Sequence, residues 1–151
     1  MTDQEQLHFR IGLSAVFWEK QPQWNIRIDD VEVAAGDKFV RDEIQYIEFD
    51  HVLDSGKHQL KIQLLNKTDS DVKKDNYNDP NNFKIVEDML LQIKSVEIDD
   101  IDLGDMIWSK TQFVAHDPQR PTLTKCTDLG WNGDWILDFE SPFYLWLLES
   151  L

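Results

Sequence analysis

The sequence predicts an all-β fold: an antiparallel β-sandwich, jelly-roll-like and with little helix, built as one domain over residues 1–151. Three observations lead there. Apolar residues recur at every second position in several separate stretches, as strands with one buried face require. Asp, Asn, Gly and Pro punctuate those stretches at short intervals. No ten-residue segment carries a convincing amphipathic helical period.

Leu7, Phe9, Ile11, Leu13, Ala15 and Phe17 alternate with polar or small residues and form the first strand, which Gln21-Pro22-Gln23 ends. Trp24, Ile26 and Ile28 begin a second, and Asp29-Asp30 marks either a turn or a phase slip before Val31 and Val33. Ala35-Gly36-Asp37 reads as a turn. Residues 44–49 form a strand whose apolar phase changes between Tyr46 and Ile47. Asp54-Ser55-Gly56 is a compact turn signal, and Leu60, Ile62 and Leu64 then give the cleanest alternation in the chain.

Residues 66–82 hold almost no apolar side chain and read as a long polar connection. Met89, Leu91 and Ile93 resume the strand period, and Val96 and Ile98 continue it in the opposite phase, as a bulged or bent strand would. Asp99 to Asp102 is its turn, and Ile101, Leu103, Ile107 and Trp108 follow on a further strand or a short helical turn. After a Pro-containing loop, Gly130-Trp131-Asn132-Gly133-Asp134 has Asn-Gly turn chemistry. Trp135, Leu137 and Phe139 alternate, Ser141-Pro142 interrupts, and the apolar run from Phe143 to Leu148 reads as a last strand.

Charge narrows the partners. With 29 acidic against 15 basic residues the formal net charge is -14, the wrong sign for wrapping a phosphate backbone, so nucleic acid is excluded as a partner. Cations and basic protein patches suit it better. Cys126 is the single cysteine, which leaves no disulfide framework, thiolate cluster or CxxC pair. No stretch approaches the roughly 20 apolar residues that span a bilayer, and residues 1–6 have no signal-peptide pattern, so the expectation is a soluble protein without a membrane partner.

The densest chemistry is the loop carrying Asp69, Asp71 and Asp75 with Asn66, Asn76 and Asn78. Calcium takes about 6 to 8 oxygen ligands in flexible geometry, so Asp69, Asp71, Asp75 and Asn76 are the candidate ligands. Lys67, Lys73 and Lys74 oppose that reading, and the EF-hand order is missing, with no Gly and no Glu at the required positions counted from Asp69. A solvated loop is the simpler account. In the acidic cluster Asp99, Asp100, Asp102 and Asp105, Asp99 and Asp100 read as turn formers, although a pair of catalytic carboxylates in a glycoside hydrolase-like enzyme is an alternative. His51 and His58 would approach each other if Asp54-Ser55-Gly56 closes a hairpin, yet no third metal ligand is marked. No serine or cysteine sits in a nucleophile context, so the expectation is a protein that is not an enzyme.

Six tryptophans are many for this length. Trp135 shares the phase of Leu137 and Phe139 and belongs in the core, whereas Trp131 lies in a turn beside Gly130 and Asn132, where partial exposure would let it stack on a sugar ring. Trp131, Asn132 and Tyr77 are therefore the carbohydrate-binding candidates. Phe143, Tyr144, Trp146 and Leu148 are apolar on both alternating faces of the expected last strand, so they must be covered by the sandwich or by another subunit, the second case implying a homo-oligomer with these residues at its interface.

The segment from His58 to Gln63, then Asn66-Lys67-Thr68, Glu87-Asp88-Met89 through Ile101, and the block Gly130 to Trp135 together resemble small virion proteins of marine tailed bacteriophages. The same arrangement is similar to β-sandwich carbohydrate-binding modules of the calcium-dependent xylan-binding type, over about residues 58–151. The phage resemblance implies a non-enzymatic structural or adhesion-related particle component, produced in the host cytoplasm, assembled with itself or other virion proteins and displayed toward host glycans. The binding-module resemblance implies carboxylates holding a calcium ion that contacts sugar hydroxyls, with Asp69, Asp71 and Asp75 the nearest positions.

Overall fold

The computed structural model describes residues 3–74 and 85–151. In chain order its strands are β1 (Gln4–Val16), β2 (Trp24–Ile28), β3 (Val31–Gly36), β4 (Gln45–Asp54), β5 (Gly56–Leu64), β6 (Lys73–Lys74), β7 (Ile85–Glu87), β8 (Leu90–Ile98), β9 (Ile101–Asp102), β10 (Thr111–Ala115), β11 (Leu123–Thr124), β12 (Asp128–Leu129) and β13 (Gly133–Ser141). A helical turn, α1 (Met106–Ser109), precedes β10, and a short helix, α2 (Phe143–Ser150), follows β13. One sheet has the order β12-β8-β1-β4 with β9 also on β8; the other runs β11-β10-β13-β5-β2-β3; β6 and β7 pair separately. The pairings are antiparallel, and the two large sheets form the expected β-sandwich.

The period-two pattern supplies the core directly. Leu7, Phe9, Ile11 and Leu13 of β1 meet Leu60, Ile62 and Leu64 of β5 and Trp135, Leu137 and Phe139 of β13 in one buried cluster. Phe9 and Phe139 stand edge to face across the two sheets, 6.2 Å between centroids. The phase change in β8 is a bulge: Gly12 pairs Ser95 and Leu13 pairs Ile93, so Lys94 is the extra residue. It lets Leu91 and Ile93 on one side, and Val96 and Ile98 on the other, all face inward.

Both Asp-Asp pairs are two-residue hairpin turns with both residues in the left-handed region, φ 50 and 64 at Asp29-Asp30 and φ 49 and 65 at Asp99-Asp100. Each first aspartate also extends a ladder. Asp29 N–H donates to the Gln59 carbonyl while its Oδ1 accepts from Gln59 N–H, and Asp99 does the same with His8. These carboxylates are turn devices, which accounts for their clustering without catalysis.

Three local expectations are corrected. Gly36 closes β3 opposite Trp24 rather than making a turn, because the indole lies so close that a Cβ would sit 2.8 Å from its Cζ2. Asp54-Ser55-Gly56 does not close a hairpin: β4 pairs β1 in one sheet while β5 pairs β13 and β2 in the other, so His51 and His58 belong to different sheets. The last strand is instead the helix α2. Pro142 has no N–H with which to continue a ladder, and α2 itself contains no β-branched side chain and three leucines, which favour helix. Spacing then decides which side faces in: Phe143 and Trp146, one turn apart, pack on the core, with Trp146 edge to face against Phe139 at 6.4 Å. The first turn of α2 borrows its acceptor from β1, where Glu5 Oε1 takes Phe143 N–H at 2.7 Å and Ser141 Oγ–H at 2.6 Å.

Candidate functional site

At one end of the sandwich three connections meet around Trp131: the polar loop after β5, the turn after β10, and the link from β12 to β13 that carries the chain from one sheet to the other. They enclose a cleft of about 220 Å³ lined by Lys67, Asp69, His116, Asp117, Arg120 and Trp131 among others. Sequence order hides this convergence, since its walls are spread over some sixty residues of the chain.

Trp131 is half-buried. One neighbour is the core residue Phe113, whose ring stacks on it at 6.0 Å and 19°, and the other is Arg120, whose guanidinium carbon lies 4.4 Å from the ring centroid. The indole N–H is enclosed and has no acceptor among the described residues. Asn132, expected to contact ligand, is a structural clasp: its Oδ1 accepts Lys67 N–H at 2.7 Å and its Nδ2 donates to the Lys67 carbonyl at 3.0 Å. Both ends of its amide are thereby used, which fixes the polar loop against the β12–β13 link. Lys67 itself is nearly enclosed and pairs with Asp88 at 2.5 Å. His116 holds Asp134 at 2.7 Å, and Asp117 Oδ1 accepts Gln119 N–H in the turn that presents Arg120. Arg120 and Asp117 had no periodic or motif signal in the sequence; only the fold brings them to Trp131.

The polar loop begins with a 3₁₀ turn, Asp69–Asp71, built by its own hydrogen bonds. Asp71 Oδ2 accepts Thr68 N–H at 2.7 Å and Thr68 Oγ1–H at 3.1 Å, and Lys20 Nζ lies 2.8 Å from the same oxygen. Burial would raise the Asp71 carboxyl, but Lys20 and the Thr68 donors outweigh it and hold it below the ordinary carboxylate range. Asn66 is likewise consumed, accepting Gln23 N–H and donating to the Gln21 carbonyl. A lysine ammonium therefore stands where a cation at Asp71 would sit, and only the exposed Asp69 projects into the cleft. Among the described residues no three His, Cys, Asp or Glu side chains converge as metal ligands would. This part of the loop does not fit calcium. Asp75, Asn76 and Tyr77, also expected in the site, lie outside the described residues.

The expected interface residues divide by helical phase. Phe143 and Trp146 are buried within the subunit, whereas Tyr144 and Leu148 are exposed together with Leu145.

No known protein-family profile matches the chain, and no curated protein matches it. Among solved structures it is similar to vCBM60 in complex with galactobiose, with a TM-score of 0.52 and 7% identity, covering 88% of this chain and 97% of that one. The chain shares its β-sandwich fold with that structure. At that identity the likeness is one of fold. The cleft at the end of the sandwich is made by Trp131, Arg120 and the loop that Asn132 clasps.

Proposed function

We propose that this protein is a non-catalytic glycan-binding module that takes a sugar at the Trp131 cleft. The observation that carries the reading is the meeting of an aromatic ring, a guanidinium and two carboxylates, Asp69 and Asp117, in one cleft of a sandwich similar in fold to a solved structure that holds galactobiose. With Phe113 and Arg120 on the two faces of Trp131, the sugar meets the edge of the indole, and the guanidinium and carboxylates pair with adjacent hydroxyls. Recognition is by direct side-chain contacts, since Lys20 occupies the cation position at Asp71. Calorimetric titration with a neutral oligosaccharide panel that includes galactobiose is the test. Trp131→Ala and Arg120→Ala should each weaken saturable binding about tenfold. Absence of saturable binding by any sugar at millimolar concentration refutes the reading.

A second reading, self-assembly, draws on α2. Tyr144, Leu145 and Leu148 are 52%, 57% and 69% exposed and form a continuous apolar stripe with no charge between them. Pairing of two such stripes would bury it, and display of many copies on a virion would turn weak glycan sites into an adhesive surface by avidity. Sedimentation at micromolar concentration should give a dimer or larger species that Leu145→Ser/Leu148→Ser converts to monomer; a monomeric wild type contradicts assembly through this face.

A further inference from the structure

A second cleft lies on the edge of the β8 sheet, between α1 and β12. Its volume is about 750 Å³, and Trp108, Lys94, Asp105, Ser109, Thr127 and Asp128 line it. Trp108 is the one exposed tryptophan of the six, 47% accessible. We propose that this trough is a saccharide-binding site for a neutral oligosaccharide of two or more units, a proposal that rests on the glycan-binding reading and adds a platform to it.

Trp108 stands on a fixed support. The backbone N–H groups of Trp108 and Ser109 both donate to the Asp105 carbonyl, at 3.0 and 2.9 Å. Ile107 is buried beneath, and the Thr111 hydroxyl donates to the Ile107 carbonyl at 2.7 Å. The opposite wall is equally tied down, with Ile93 N–H donating to the Thr127 carbonyl at 2.9 Å and Asp128 in register with Gln92. An aromatic ring held outward by a buried anchor loses little freedom when a ligand stacks on it.

The surroundings select the ligand. Around the indole stand carboxylates that accept from sugar hydroxyls, the hydroxyls of Ser109 and Thr127, and the Lys94 ammonium, while the neighbouring apolar residues Ile93 and Ile107 are buried in the floor. The volume falls in the range of about 300 to 1,000 Å³ typical of small-molecule sites, whereas the Trp131 cleft is smaller and suits a single ring. Lys125 Nζ lies over the Trp108 ring at 5.2 Å from its centroid, within cation–π range, a looser and more mobile cover than the Arg120 guanidinium at 4.4 Å over Trp131, so Trp108 offers the more open ring. Asp102, Asp105 and Asp128 outnumber the two lysines, on a chain of net charge -14, which disfavours uronic acids and sulfated sugars.

The test is an NMR titration of the full chain, reading the indole N–H resonances assigned with Trp108→Phe and Trp131→Phe. The probes are galactobiose, cellotetraose, xylotetraose and digalacturonate. A neutral probe should shift the Trp108 resonance saturably, digalacturonate should leave it in place, and Trp108→Ala should weaken the neutral sugar about tenfold. Because Trp108 is exposed, that variant keeps the fold; Thr127→Val, which removes only a hydroxyl from the trough, should weaken binding in the same direction. Binding that shifts Trp131 alone and survives Trp108→Ala overturns this site while sparing the glycan reading. Silence of both indoles toward every probe overturns both, and equal binding of digalacturonate overturns the charge selection.

Discussion

Replacing Asp71 tests whether the loop beside the Trp131 cleft is held by protein groups or by an ion. Asp71→Ala removes the acceptor of Thr68 N–H and Thr68 Oγ1–H and the partner of Lys20. Loss of a capping acceptor of this kind costs about 1 kcal/mol. Lys20 is 41% exposed, so its ion pair is discounted for solvent screening to about 0.5 to 1 kcal/mol. The sum, about 1.5 to 2 kcal/mol, corresponds to a fall of about 3 to 8 °C in Tm for a domain of this size. Asp71→Asn keeps one oxygen for Thr68 and should lose about half as much. Urea unfolding at neutral pH, with millimolar calcium and with chelator, measures the effect, which should be the same in both. The sign with pH follows from a carboxyl held below its ordinary value: the contribution is complete above about pH 4 and disappears as pH falls through the folded-state value. Wild type and Asp71→Asn should therefore converge in acid. A loss below about 0.5 kcal/mol, or one seen only with calcium, refutes the lysine-capped loop.

Two further perturbations address the scaffold. His58, whose side chain is 10% exposed, contacts the Asp29 carboxylate at 2.5 Å and the Asp54 carbonyl at 2.6 Å; burial lowers its pKa, but the two acceptors outweigh it and the net shift is upward. Its stabilisation is complete below about pH 6.5 and lost as pH rises through the folded-state value, so His58→Gln should cost about 1 to 2 kcal/mol at pH 5.5 and much less at pH 9, read as urea midpoints; a pH-independent cost contradicts the imidazolium bridge. Gly133→Ala would place a Cβ 2.5 Å from the Val114 carbonyl oxygen and 3.0 Å from Ala115 Cα, and should cost about 3 kcal/mol in urea unfolding. Gly130→Ala, whose nearest atom is Leu90 Cδ2 at 3.5 Å, should stay within about 0.5 kcal/mol.

Local sequence patterns carried the strands because burial on one face of a pleated chain leaves a period of two. Leu60, Ile62 and Leu64 are all fully buried, and the opposed phases of Ile93 and Val96 point to a bulged or bent strand, which the register of β8 on β1 resolves as a bulge at Lys94. The same logic misread α2, since an apolar run without polar alternation is compatible with either period. Pro142 and the contacts of Trp146 with Phe139 and Phe143 resolve it. Trp131 could be placed in a turn from Gly130 and Asn132, but the role of Asn132 could not, because its partner Lys67 is distant in sequence.

By itself, then, the sequence determined that the chain is an acidic β-sandwich with Asp-Asp turns and a core centred on Leu7, Phe9, Leu60, Ile62, Trp135 and Phe139. These properties depend on near neighbours in the chain and on hydrophobic period. The tertiary structure decided what the long-range residues do: Lys20 reaches Asp71, Glu5 receives the first turn of α2, Arg120 lies over Trp131, and Trp108 is left standing in an open trough. A side chain's chemistry is fixed by what faces it, and here those partners come from connections that meet only when the two sheets close on each other.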